Sequence, residues 1–133
     1  MLRLLIGVFL IAHGLIHTAI WLPQAFGVRA AANPGAPFDP GYSWLITGAS
    51  ADGARWLSIF LALVAAIGYV IAGTGLFAHQ AWWTTFAVAA SAASLALFLL
   101  YFNAWLSAAV LIDIALLAWL LGLYGSPAAR LGA

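Results

Sequence analysis

The chain alternates long apolar runs with short polar breaks. The runs cover residues 4–22, 56–78, 82–101 and 104–124. A hydrocarbon layer about 30 Å thick needs about 20 helical residues at 1.5 Å each, so every run has roughly the length of one crossing. Lipid offers no hydrogen-bond partner to a bare backbone, which leaves helices or a closed barrel. A barrel strand would alternate polar and apolar positions, and these runs do not. The pattern predicts an all-α fold, a transmembrane up-and-down four-helix bundle, as a single integral membrane domain over residues 1–133. The breaks His79-Gln80-Ala81 and Phe102-Asn103 are short enough to make the second, third and fourth helices antiparallel neighbours.

The one long break, residues 23–55, holds Pro23, Pro34, Pro37 and Pro40 with Gly27, Gly35, Gly41, Gly48 and Gly53. Proline and glycine at this density interrupt helices, and Pro23 is expected to end the first one. The segment also carries Phe26, Phe38, Tyr42, Trp44, Leu45 and Ile46, more apolar side chains than a free linker needs. It is expected to fold back over the bundle mouth as a lid or short interfacial helix. Arg3 ahead of an apolar stretch and the small residues Ala30, Ala31 and Ala32 outline a signal peptide. The run exceeds the usual 7–15 residue apolar core of such peptides, so it reads as a retained helix.

Composition narrows the function. Of 133 residues, 67% are hydrophobic and 5% charged, against roughly a quarter charged in a soluble domain. Four arginines and no lysine cannot build a nucleic-acid surface. With no cysteine, thiolate nucleophiles, iron–sulfur clusters and CxxC redox chemistry are excluded for the chain alone. No glutamate is present, and the GxSxG, HExxH and Walker patterns are missing, so hydrolysis has little to stand on. A non-enzymatic role is the stronger expectation.

Trp21, Trp44, Trp56, Trp82, Trp83, Trp105, Tyr101 and Tyr124 fall near predicted helix ends, where aromatic rings anchor at the headgroup level. Arg3 and Arg130 share one side, while Arg29 and Arg55 lie on the other beside Asp39 and Asp52. The expected setting is a bacterial inner membrane crossed several times, with both termini cytoplasmic. Ala65, Gly68, Ala72 and Gly75, and then Ala87, Ser91 and Ser94, recur at spacings of three and four. Such stripes let backbones approach, within this chain in preference to an oligomer interface.

The candidate chemistry lies at mid-helix. His13 and His17 stand four residues apart, on one face of the first helix, and Asp113 is flanked only by apolar residues in the fourth. Counting at the standard rise, His13 lies about 13 Å below Leu22 and Asp113 about 13 Å below Ala104, with Ser91 and Ser94 about 12–16 Å deep from Phe102. One polar layer across helices one, three and four is expected. A charge at this depth costs a few kcal/mol, so Asp113 is expected to face inward with His13 as its partner. His17, one turn nearer the loop, is expected within reach of water.

Three uses of this layer compete. It is a closed hydrogen-bond network that fixes helix rotation and register, a proton relay or small polar ligand site, or a metal site. For the metal site, His13, His17 and Asp113 supply two nitrogens and one oxygen with open positions. Haem has less support, since two histidines on one helix face cannot occupy opposite axial positions, although either can be a single ligand.

The stretch Ala12 to His17, the loop residues Gly41-Tyr42-Ser43-Trp44, the run Gly68 to Gly75 and Gln80-Ala81-Trp82-Trp83 resemble uncharacterised small bacterial four-helix membrane proteins with this type of first helix. The resemblance covers most of the chain and implies membrane location and four helices but no reaction. One helix, a long loop and three close-spaced helices are also similar in layout to DoxX-type membrane proteins, a family linked to quinone and thiosulfate oxidation. No DoxX-specific residue can be matched, so this likeness is architectural.

The leading expectation is a non-catalytic accessory subunit packing against a larger membrane complex or its own copies within the bilayer. No cofactor is required by the sequence. One alternative is a DoxX-like membrane oxidoreductase or ligand-binding component, holding a metal or quinone in an open, hydrated cavity that reaches His17 from the loop side. The other is a proton-linked transporter working as an oligomer.

Overall fold

The computed structural model describes residues 1–26, 39–123 and 131. They form four α-helices, α1 Leu2–Ala25, α2 Ala51–Phe77, α3 Trp83–Leu100 and α4 Ser107–Leu120, with a 3-10 turn Ala104–Leu106 leading into α4. Each helix packs closely on the next in sequence, α1 on α2, α2 on α3 and α3 on α4, which is the up-and-down bundle. The seam between α1 and α4 is looser.

Three helices, α1, α2 and α3, are long and apolar enough to cross a membrane. The chain is thus a small membrane protein by the character of its helices. The fourth apolar run falls short of the expected crossing: α4 has 14 residues, about 21 Å at the standard rise. Its stop is local. Gly122 adopts φ +81°, the left-handed conformation that glycine enters at little cost. The amide of Leu123 donates to the Ala118 carbonyl (3.1 Å) and that of Gly122 to Trp119 (3.0 Å). These two bonds are the Schellman closure of a helix end. α2 ends the same way with His79 at φ 57°. The Gln80 amide reaches the Gly75 carbonyl (2.9 Å) and the His79 amide the Leu76 carbonyl (3.3 Å).

Two other boundaries differ from the apolar runs. Pro23 lies inside α1, which continues to Ala25; a proline in the last turn removes one amide bond without a following turn to disrupt. α2 starts at Ala51, so residues 51–55 are helix and not loop. Ser50 caps it by accepting the Gly53 amide (3.1 Å), Asp52 sits in the first turn, and Arg55 pairs with Asp52 at 3.0 Å. Side-chain capping and an acidic first turn offset the apolar deficit of these residues. Among the described loop residues, Ser43 donates to the Leu100 carbonyl (2.7 Å) and the Trp44 indole to the Leu99 carbonyl (2.8 Å). The loop thereby closes the C-terminal end of α3, satisfying carbonyls that the helix leaves open. Residues 27–38 of the lid, with Arg29, lie outside the described residues, as do Tyr124 and Arg130.

Two apolar cores stack along the bundle. One gathers Leu10, Ala72, Leu76, Trp83, Ala87, Leu116 and Leu120; the other Trp21, Ala54, Ala62, Leu97, Phe98, Tyr101 and Leu106. Trp21, Trp83 and Tyr101, expected at the headgroup level, are therefore core residues, each at most 3% exposed. Aromatic rings near helix ends turn inward where neighbouring helices offer apolar contact; Trp21 packs edge-on against Tyr101 at 5.5 Å. Trp44, Trp56 and Trp82 do face outward. The small-residue stripes serve packing inside the chain. A Cβ at Gly68 would stand 2.9 Å from that of Ala90 on α3, and Ala65, Ala72 and Ala87 are wholly buried.

Candidate functional site

Between the two cores lies a polar layer. Asp113, midway along α4 and fully buried, collects a side chain from each of the other three helices. From α1, His13 Nε2 stands 2.9 Å from Asp113 Oδ1. From α2, the Tyr69 hydroxyl stands 3.0 Å from the same oxygen. From α3, the Ser94 hydroxyl bonds Oδ2. A carboxylate accepts several bonds at once, and here that capacity fastens the shortest helix to the rest of the bundle.

The second histidine joins the network through α3. His17 Nδ1–H donates to the His13 carbonyl (2.8 Å), and Nε2 faces the Ser94 hydroxyl at 2.6 Å. Ser91 donates to the Ala87 carbonyl (2.9 Å) and lies 3.0 Å from the Tyr69 hydroxyl. All five residues expected in the layer, His13, His17, Ser91, Ser94 and Asp113, are buried and connected. His17 departs from expectation in its surroundings. It is 2% exposed, less than His13 at 7%, because α3 and Phe98 cover it where water was expected. A cleft of about 590 Å³ does open at the loop end, lined by Gln24, Asp39, Asp52, Arg55 and Trp56. On α1 the lining residue nearest His17 is Gln24, about 10 Å along the helix, and His17 is not part of the lining.

The member that sequence reasoning missed is Tyr69. A tyrosine in the interior of an apolar run, away from either end, is a signal of an inward hydroxyl, because in lipid that group must find a partner. Gly14 explains how Tyr69 fits. It lies between the two histidines, and a Cβ there would come within 2.8 Å of Tyr69 Cβ and 2.9 Å of the Ala66 carbonyl oxygen. The missing side chain lets α2 approach α1 and brings the Tyr69 ring within 5.0 Å of His13 and 6.0 Å of His17, centroid to centroid. Phe9 stacks on the outer side of His13 at 5.5 Å, completing an aromatic wall.

The donor atoms of His13, His17 and Asp113 lie within 4.8 Å of one another, and two imidazoles with a carboxylate suit a transition metal by type. In the arrangement observed, the atoms that would face an ion face each other. His13 Nε2 rests on Asp113, and the Ser94 hydroxyl stands between His17 Nε2 and Asp113 Oδ2. What the geometry does directly is join four helices through one carboxylate and link an imidazole to it by a hydroxyl. Comparison with protein families, curated proteins and solved structures finds no match to this chain.

Proposed function

We propose that this protein is a small non-catalytic membrane component that packs beside larger proteins of its bilayer, with the Asp113 cluster holding its own helices in register. The supporting observation is the closure of the cluster. His13, His17, Tyr69, Ser91, Ser94 and Asp113 are buried and bonded to one another. A catalytic acid, base or nucleophile must meet its substrate, whereas these groups are occupied in joining helices. Outside, Leu4, Phe60, Ile67, Leu111 and Ile114 present an apolar surface suited to lipid or to another membrane helix. A bacterial inner membrane with both termini cytoplasmic is the proposed setting.

The test is purification of the tagged chain from native membranes in mild detergent, followed by mass spectrometry and metal analysis. A larger membrane protein retained at fixed stoichiometry, and lost with Asp113→Ala, is the expected result. A chain that purifies alone with stoichiometric metal, haem or quinone would overturn the reading in favour of a ligand-binding role.

A further inference from the structure

The two hydrogen bonds of the Ser94 hydroxyl constrain where the protons of its neighbours can sit. The His13 carbonyl can only accept, so His17 Nδ1 carries a proton. His17 Nε2 and Asp113 Oδ2 both face the Ser94 hydroxyl, which has a single proton and donates to one of them. The remaining bond needs a proton from the other side. Either His17 is an imidazolium donating to Ser94, with Ser94 donating to an Asp113 carboxylate, or Asp113 is protonated and donates to Ser94, with Ser94 donating to a neutral His17. Both forms hold one proton more than a neutral imidazole, a hydroxyl and a carboxylate would. Both carry zero net charge, the state that buried groups at mid-helix favour.

We propose that His17, Ser94 and Asp113 form a buried proton-binding site that stores one proton and exchanges it between imidazole and carboxyl through the serine hydroxyl. In the exchange, the Nε2–H bond breaks as that proton joins Ser94 Oγ, and the original Ser94 O–H bond breaks as its proton joins Asp113 Oδ2. The serine ends with one proton, and the charges on His17 and Asp113 cancel together. The reverse step retraces the same bonds.

The surroundings leave the proton few other seats. From α1, His13 Nε2 faces Asp113 Oδ1, and a neutral imidazole with its proton on Nε2 satisfies that oxygen. From α2, the Tyr69 hydroxyl faces the same oxygen and Ser91 Oγ, and shares its single proton between them. α3 contributes only the non-titrating Ser91 and Ser94, and α4 only Asp113 itself. Among the described residues, the charged side chains Arg3, Asp39, Asp52 and Arg55 lie at helix ends and in the loop. The inference uses the same residues as the proposed register role but does not depend on whether a partner protein exists.

The test combines ring nitrogen NMR of [15N]histidine-labelled protein in lipid nanodiscs with the infrared band of protonated carboxyl groups, at neutral pH. His17 is expected to show a signal averaged between imidazolium and neutral imidazole, assigned by its loss in His17→Gln. A protonated carboxyl band is expected to vanish in Asp113→Asn, and the two protonated populations should sum to one per chain. Ser94→Ala should abolish the averaging and leave His17 in one protonation state, while Ser94→Thr, which keeps the hydroxyl, should restore it. The wild-type spectra decide the proton count even if Ser94→Ala fails to fold. A neutral His17 with no protonated carboxyl, or the positive charge found on His13, would overturn the proposal. Failure to find a partner protein would leave these spectra unchanged.

Discussion

Gly14→Ala adds one carbon at the closest approach of two helices, and the structure sets its cost. The new Cβ would lie 2.8 Å from Tyr69 Cβ and 2.9 Å from the Ala66 carbonyl oxygen, neither of which is the free end of a flexible side chain. Ordinary carbon contacts need about 3.5–4.0 Å, so α1 and α2 must separate by roughly 1 Å. Overpacking of this kind costs about 1–3 kcal/mol. The separation also carries His13 and His17 away from Asp113 and Ser94, stretching bonds that now measure 2.9 and 2.6 Å. Each intramembrane side-chain bond contributes about 0.6 kcal/mol on average, which brings the expected total to about 2–4 kcal/mol. Gly48→Ala is the control, since nothing lies within 4 Å of a Cβ at that position, and it should change stability by less than about 0.5 kcal/mol. Unfolding by SDS in mixed micelles, followed by tryptophan fluorescence, measures both. A Gly14→Ala variant as stable as Gly48→Ala would refute the claim that close approach at Gly14 builds the site.

Ser50→Ala should destabilise the protein by about 1 kcal/mol, the worth of an N-cap, with amide exchange quickening over residues 51–54 and not over α3. Unchanged exchange there would mean that Ser50 does not start α2. Gly122→Ala meets no atom within 4 Å but must hold φ near +81°, so a loss of about 1–2 kcal/mol is expected. Gly122→Asn should recover most of it, since asparagine tolerates this conformation; equal stability of all three would place the end of α4 elsewhere.

The helical count and the common depth of the polar layer were legible because both follow from the 1.5 Å rise along uninterrupted runs. His13, His17, Ser91, Ser94 and Asp113 could be assigned to one level by counting alone. Rotation about each helix axis could not be read, because the runs are apolar on nearly every face and give no amphipathic stripe. For that reason the partners of His17 and the inward turn of Trp21, Trp83 and Tyr101 emerge only from packing. Tyr69 is harder to read because one hydroxyl barely alters the hydropathy of an apolar run, although its mid-run position sets it apart from Tyr101 and Tyr124. Ser50 and Gly122 escaped because end signals within or beside an apolar run are local hydrogen-bond devices that hydropathy does not weigh. The resulting differences are a longer α2 and a fourth helix too short to cross alone.

The cluster exists only if the fourth-helix carboxylate meets the first-helix imidazoles, and a labelled distance tests this most directly. The chain has three histidines and three aspartates. Among the latter, Asp39 and Asp52 stand at the loop end, away from His13 and His17. Recoupling of histidine ring 15N to aspartate carboxyl 13C in lipid bilayers therefore reports on Asp113. Strong dephasing consistent with the 2.9 Å contact of His13 Nε2 to Oδ1 is predicted, weakened in His13→Phe and abolished in Asp113→Asn. Absence of any short nitrogen-to-carboxyl distance in the folded wild-type protein would contradict the account.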